Sequence, residues 1–196
     1  MATVLDICNS ALIKLGEMPL TDIADGSKQG QLLSARYAPC RDYVLREYPW
    51  KCAIKRVGLS PLAAMPLSDP NCLRQWQYAV QLPSDYLRLV LNDDDKLCFQ
   101  IEGNTFLTNE QTIVIRYVWQ VDNAQLFDSH LAECIAWYLA QDLCISIMQN
   151  TQIADRMSKQ YLNFLAKAKF QDASVSRAIT QNEYFYENVR MQANHI

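Results

Sequence analysis

The sequence predicts an α+β fold: an antiparallel four-helix body built from its N- and C-terminal parts, an inserted antiparallel β domain, and an extended C-terminal tail. Three observations lead there. Apolar residues recur at three- and four-residue steps near the start of the chain and again from Asp128 to about Ala173. Between these stretches the helical period disappears, and Pro61, Pro66, Pro70 and Pro83 punctuate short runs of β-branched and aromatic residues. Past residue 173 the chain turns polar. The implied boundaries are 1–49 and 124–173 for the helical body, 50–123 for the insertion and 174–196 for the extension.

The first helix is predicted over Thr3 to Leu15, with Val4, Ile7, Ala11, Leu12 and Leu15 on one face and Gly16 as its stop. After the turn dipeptide Asp25-Gly26 a second pattern runs from Ser27 to Tyr48 through Leu32, Leu33, Tyr37, Val44 and Leu45. Pro39 lies inside it and predicts a kink or a restart, because proline lacks a donor and clashes with the carbonyl four residues back. Pro49 pushes Tyr48 towards extended geometry and closes the helix.

Strands are predicted at Lys51 to Val57, Gln75 to Gln81, Tyr86 to Leu91, Lys96 to Glu102, Thr105 to Leu107 and Thr112 to Trp119. Gly103-Asn104 has the glycine-first order of a tight hairpin loop. Thr112 to Trp119 is nearly all apolar, as expected of a central strand covered on both faces. A long helix then carries Leu131, Ile135, Tyr138, Leu139, Leu143, Ile147 and Met148, capped by Asp128 or Ser129. Asn150-Thr151 breaks it, and a last helix from Gln152 buries Ile153, Met157, Tyr161, Phe164, Leu165 and Ala168. Such a pair joined by a tight turn forms an antiparallel hairpin, and the two N-terminal helices need it to cover their stripes.

Composition narrows the function. Half of the 196 residues are hydrophobic, enough for a real core, and a formal charge of -3 lacks the footprint of a protein that neutralises many phosphates. No uninterrupted apolar run approaches a bilayer span, and the polar start lacks the regions of a signal peptide, so synthesis in a cytoplasm and no membrane partner are expected. Seven cysteines, an odd number with no Cys-x-x-Cys spacing, read as buried apolar groups in a reducing compartment. His130 and His195 have no ligand spacing; His130, at a helix start, reads as a cap or a solvent contact.

Motifs of catalysis do not appear. There is no phosphate-cradling glycine loop, nucleophile elbow or His-Glu-x-x-His, so neither cofactor nor metal is expected. Asp93-Asp94-Asp95 has the oxygen chemistry of a cation site but lacks the glycine and later glutamate of a calcium loop, and reads as a solvated turn. Glu102, Glu110 and Glu133 could serve sugar hydrolysis, yet no spacing singles any of them out. Trp50, Trp119 and Trp137 read as core, while Trp76, among polar neighbours, could stand at an interface. Tyr184-Phe185-Tyr186 forms an aromatic island in the polar tail, either a short helix tucked on the body or an exposed anchor.

One constellation is more specific. Tyr37-x-x-x-Arg41-Asp42-x-x-Leu45-Arg46-x-x-Pro49-Trp50-Lys51-x-Ala53 is followed by Leu82-Pro83-Ser84-Asp85-Tyr86-Leu87 and preceded by Asn9-x-Ala11-Leu12-x-x-Leu15-Gly16. From about Asn9 to Ala173 the chain resembles the tail tubular protein A family of short-tailed phages and its relatives, the head-to-tail adaptor or connector proteins. Cys52 departs from the family, whose members often carry phenylalanine there, and so does the Pro-rich stretch from Leu59 to Pro70.

The resemblance implies a structural virion protein at the head-tail junction and not an enzyme. It would be one of twelve identical subunits in a ring between the portal protein and a downstream tail protein (nozzle or tail tube component), with genomic DNA passing through. Carried over to this sequence, the C-terminal extension would reach the portal, with Tyr184, Phe185, Tyr186, Arg177 and Arg190 as docking residues. Asp93, Asp94, Asp95, Asn104 and Asn109 would face the tail. Arg41, Asp42 and Arg46 would be structural, and Asp42 and Arg46, four apart on one helix face, can pair. Two alternatives stand beside this reading. One is a tail-associated cell-wall-degrading glycosidase, as some relatives are credited with such activity, with Glu102 and Glu133 as first choices; the other is a small cytoplasmic regulatory binding protein.

Overall fold

The structure is a computed structural model that describes residues 2–60, 63–64, 76–90 and 98–174. Among these residues lie four α-helices and two small antiparallel sheets, a mixed α+β architecture.

Helix α1, Val4–Leu15, opens on a reciprocal cap: Thr3 Oγ1 accepts from the Asp6 N–H at 3.1 Å, and Asp6 Oδ2 accepts from the Thr3 N–H at 2.8 Å. Gly16 closes it with φ +80°, a left-handed conformation that glycine reaches without strain. Ser27 caps α2, Lys28–Glu47, by accepting from the Gly30 N–H at 3.0 Å. Gly30 has no room for a side chain: a Cβ there would stand 2.6 Å from both the Ile23 carbonyl and Asp25 Oδ1.

Of the kink or restart expected at Pro39 the restart does not occur: α2 is a single helix through it. Pro39 and Ala35 are both exposed, so the Ala35 carbonyl that loses its partner faces water and the lost bond is replaced by hydration. The ring still lacks a donor. Pro39→Ala is therefore expected to raise unfolding free energy by about 1–3 kcal/mol, at or below the helix-interior difference between proline and alanine. A urea titration measures it.

Past the extended Tyr48, Trp50 plunges into the core and donates its Nε1–H to the Val44 carbonyl at 2.9 Å. The chain turns on this anchor. Lys51–Ala53 is thus a single 3-10 turn, not the predicted start of a strand, and β1 begins at Ile54 (Ile54–Leu59). The other strands are β2 (Ala63–Ala64), β3 (Tyr78–Gln81), β4 (Tyr86–Leu89), β5 (Phe99–Glu102), β6 (Thr105–Thr108) and β7 (Ile113–Trp119). They form one sheet in the order β1-β7-β4 and another in the order β2-β3-β6-β5, antiparallel throughout. Gly103, with φ +58°, opens the two-residue β5-β6 loop as predicted.

Strand β7 is central in its sheet but is not covered on both faces along its length. Ile113, Ile115 and Tyr117 point into a core with Val80, Leu82 and Phe106 that joins the two sheets. Val118, on the other face, joins the helical core, while Val114, on that same face, is 71% exposed.

Helix α3, Ser129–Met148, is capped by Asp128, which accepts from the Leu131 N–H at 2.6 Å. Gln149, with φ 51°, ends it in the left-handed region, and Asn150 caps α4, Thr151–Ser174. By length and composition α3 is apolar enough to cross a bilayer, although no uninterrupted apolar run in it is that long. It packs instead against α1, α2 and α4, and its buried face is the centre of the larger core.

Candidate docking surfaces

Of the residues the resemblance points to, Arg177, Tyr184, Phe185, Tyr186 and Arg190, together with Asp93, Asp94 and Asp95, lie outside the described residues. Asn104 and Asn109 are described, and both are exposed. The Asn104 carbonyl accepts from the Leu82 N–H at 3.0 Å, and Asn109 Oδ1 accepts from the Gln77 N–H at 3.1 Å. They stand before and after β6, about 17 Å apart at the rise of an extended chain, and so mark opposite ends of that strand instead of one tip.

The motif around α2 builds a joint. Arg41 is buried, only 4% exposed. Its Nε meets Asp42 Oδ1 at 2.8 Å, and its Nη1 meets Asp122 Oδ1, also at 2.8 Å. Asp42 Oδ2 accepts from Gln120 Nε2 at 2.6 Å. Asp42 therefore pairs with its neighbour Arg41 and with the end of β7, not with Arg46 as helix spacing predicts. A buried guanidinium without a carboxylate would be costly, whereas Arg46 is exposed and gains little from pairing. The Arg46 carbonyl, at the end of α2, accepts from Arg88 Nη1 at 2.8 Å and ties β4 to the helix.

The second motif has a comparable role. Asp85 Oδ2 meets Lys55 Nζ at 2.6 Å, and Asp85 Oδ1 accepts from the Tyr117 hydroxyl at 3.0 Å. Lys55 Nζ also lies 3.5 Å from the centroid of the Trp119 ring. Partial burial opposes the charge of Asp85, but the bonds from Lys55 and Tyr117 outweigh it and hold the carboxyl below its usual range. Burial and the same carboxylate push the Tyr117 phenol up to about 12. The cluster clips β1, β7 and the turn before β4 together.

At the far end of α4, Asp172 is buried with Oδ1 accepting from the Lys51 N–H at 3.3 Å and Oδ2 without a partner among the described residues. Lys51 Nζ donates to the Asp172 carbonyl. Burial, with the charge of Asp128 adding to it, raises the Asp172 carboxyl above its ordinary value. The folded state then holds this proton more tightly than the unfolded one, so the contribution of Asp172 is fully present below the unfolded value and is lost as pH rises through the folded one. Asp172→Asn, which retains an acceptor, is expected to gain stability relative to the native chain as pH goes from 4 to 7. Thermal melts across that range check it.

The glycosidase candidates do not converge. Glu133, on α3, meets Lys14 Nζ at 2.6 Å and accepts from Ser10 Oγ at 3.1 Å. Glu102 lies on edge strand β5 and accepts from Gln100 Nε2 at 2.8 Å. Among the described residues no group of three or more His, Cys, Asp or Glu side chains is placed to hold a metal. His130 is not the cap: Asp128 takes that position, and the His130 ring packs 6.4 Å from that of Phe164. Cys8, Cys40, Cys134 and Cys144 are buried and free, with burial pushing the first three thiols up to about 12; Cys98 is exposed, and Cys72 lies outside the described residues. Trp76 is half-buried, its Nε1 3.4 Å from Gln100 Oε1.

Sequence reasoning missed a face. On α4, Leu162, Ala166 and Phe170 repeat every four residues on the side away from the core, and Phe170 is 75% exposed. Leu162 and Phe170 fall outside the predicted buried set of that helix, and this was the signal available. Ile13 and Met18 are likewise exposed on α1 and just beyond it. No protein-family model and no curated protein matches this sequence.

Proposed function

We propose that this chain is a structural virion protein, a subunit of a head-to-tail adaptor ring that joins a portal to the tail and forms part of the DNA passage. In this reading α1 and α2 complete a four-helix body with the α3-α4 hairpin, and the C-terminal extension reaches the portal. The observation that carries it is how the β part is inserted. Its first strand, β1, pairs with its last, β7, with Ile54 opposite Val118 and Leu59 opposite Ile113. The insertion therefore leaves and re-enters the helices at one place, next to the Trp50 anchor and the Arg41-Asp42-Gln120 joint.

That element order, with the motif residues at the seam, is what the adaptor resemblance calls for. Side chains that close a seam also account for the Arg, Asp and Trp that the motifs hold. The test is to mix the purified chain with the portal protein of the same phage and measure the size of the product. A complex of portal and added ring is expected; persistent absence of any complex at high concentration would sink the reading.

A further inference from the structure

The last turn of α4 is fastened to the place where the β part begins. The final four carbonyls of a helix have no partner within it, and here side chains answer three of them. Ser174 Oγ donates to the Gln171 carbonyl at 2.7 Å, and Lys51 Nζ donates to the Asp172 carbonyl and, at 3.5 Å, to that of Ala173. The Lys51 N–H adds a further tie, to Asp172 Oδ1 at 3.3 Å. Lys51 opens the 3-10 turn that follows the buried Trp50 and leads into β1. One residue at the root of the β part thus holds a helix end that lies 121 positions further along the chain.

The same contact carries an opposing force. Asp172 is 6% exposed, and its Oδ2 has no partner among the described residues. So close to the C-terminal end of α4, the helix dipole also disfavours a negative charge. Of the groups that face it, Lys51 attracts that charge and Asp128, at the start of α3, repels it, while the Cys52 thiol and the Tyr48 phenol are both made harder to ionise by it. On α4 itself, Lys169 is turned to Glu47 at 3.8 Å and to the Tyr48 ring. Protonated, the carboxyl brings no charge into this site; ionised, it calls for water that the closed contact keeps out.

We propose that this contact is a pH-released latch: when Asp172 ionises, the last turn of α4 comes away from Lys51 and water reaches the carboxylate, while the rest of the helix stays packed. The sign follows from burial. An open last turn returns the carboxyl to water and to its ordinary proton affinity, whereas the closed one binds the proton more tightly. The closed form is therefore favoured in full at low pH and loses ground as pH rises through the closed-state value. Nothing larger has to move, because Met157, Tyr161, Leu165 and Ala168 hold α4 in the core by apolar contacts that no proton changes. The latch is independent of the adaptor reading and needs no partner.

Hydrogen exchange resolved by residue reads it. In the native chain, the protection of the amides of residues 170–174 and of the Lys51 N–H, corrected for the intrinsic rise of exchange with pH, should fall together as pH goes from 4 to 7. The amides of residues 157–166 should keep theirs. D172N should hold its protection at the helix end across the range, because its side chain never ionises. K51M should show low protection there at every pH, since two carbonyls lose their donor. Equal protection at pH 4 and 7 in the native chain would overturn the latch, as would a fall that D172N shares. So would a fall spread evenly through residues 157–174, because the proton would then act on the whole fold and not on one turn. K51M that matches the native chain throughout would remove Lys51 as the catch and overturn the proposal in that way.

Discussion

Trp50→Ala is expected to destabilise the protein by about 3–5 kcal/mol, the range for removing a large aromatic side chain from a closed core. Trp50 is completely buried, its ring lies 5.1 Å from that of Tyr48, and its Nε1–H satisfies the Val44 carbonyl near the end of α2. The loss therefore combines a cavity with a missing hydrogen bond at the point where helix gives way to strand. Against a typical total of about 5–15 kcal/mol, that leaves little margin at physiological temperature. Urea titration reads the loss directly. Trp50→Phe, which fills most of the space without a donor, should cost less than half as much, and the difference between the variants separates packing from the hydrogen bond.

Asp42→Ala should rank next, at about 2–3 kcal/mol, somewhat below the 3–5 seen when one partner of a fully buried pair is removed. It strands the Arg41 guanidinium with Asp122 as its remaining carboxylate, and that side chain is 81% exposed. Gln120 loses its acceptor at the same time. Arg41→Met/Asp42→Ala should be less damaging than the sum of its single changes, because the charge and its counter-charge leave together. The four unfolding free energies of that cycle check the claim. Strict additivity would mean that the pair is not coupled.

Much of this fold was legible because the deciding forces are local. Thr3, Gly16, Ser27 and Asp128 mark helix ends through caps formed within four residues, and the sequence shows both sides of each bond. Gly103-Asn104 sets its hairpin in the same way. Where sequence reasoning failed, the deciding partner was distant. Pro39 is tolerated because of which side of α2 meets water, and no local pattern reports that. Asp42 was matched to Arg46 by helix spacing, but the burial of Arg41 and the arrival of Gln120 from the end of β7 outweighed a surface pair. The division into two sheets and the short β2 depend on pairings across dozens of residues, within a Pro-rich stretch that offered no periodicity. As for docking surfaces, composition pointed to a polar tail and an acidic turn. The apolar residues Leu162 and Phe170 on α4 lay outside the predicted buried face, and nothing local distinguishes an exposed apolar residue from one covered by a distant element.

The pairing of β1 with β7 also has a mechanical side. Both strands are fastened to the helices at the same end, where Ile54 faces Val118, and both run outward from there. A pull on the far end is carried by two covalent backbones side by side, with the hydrogen bonds between them lying across the load and not in line with it. Sideways bending, by contrast, works against the Asp85-Lys55 clip and the Arg41 joint at the base. The paired strands are thus stiff in tension and braced against bending at their root.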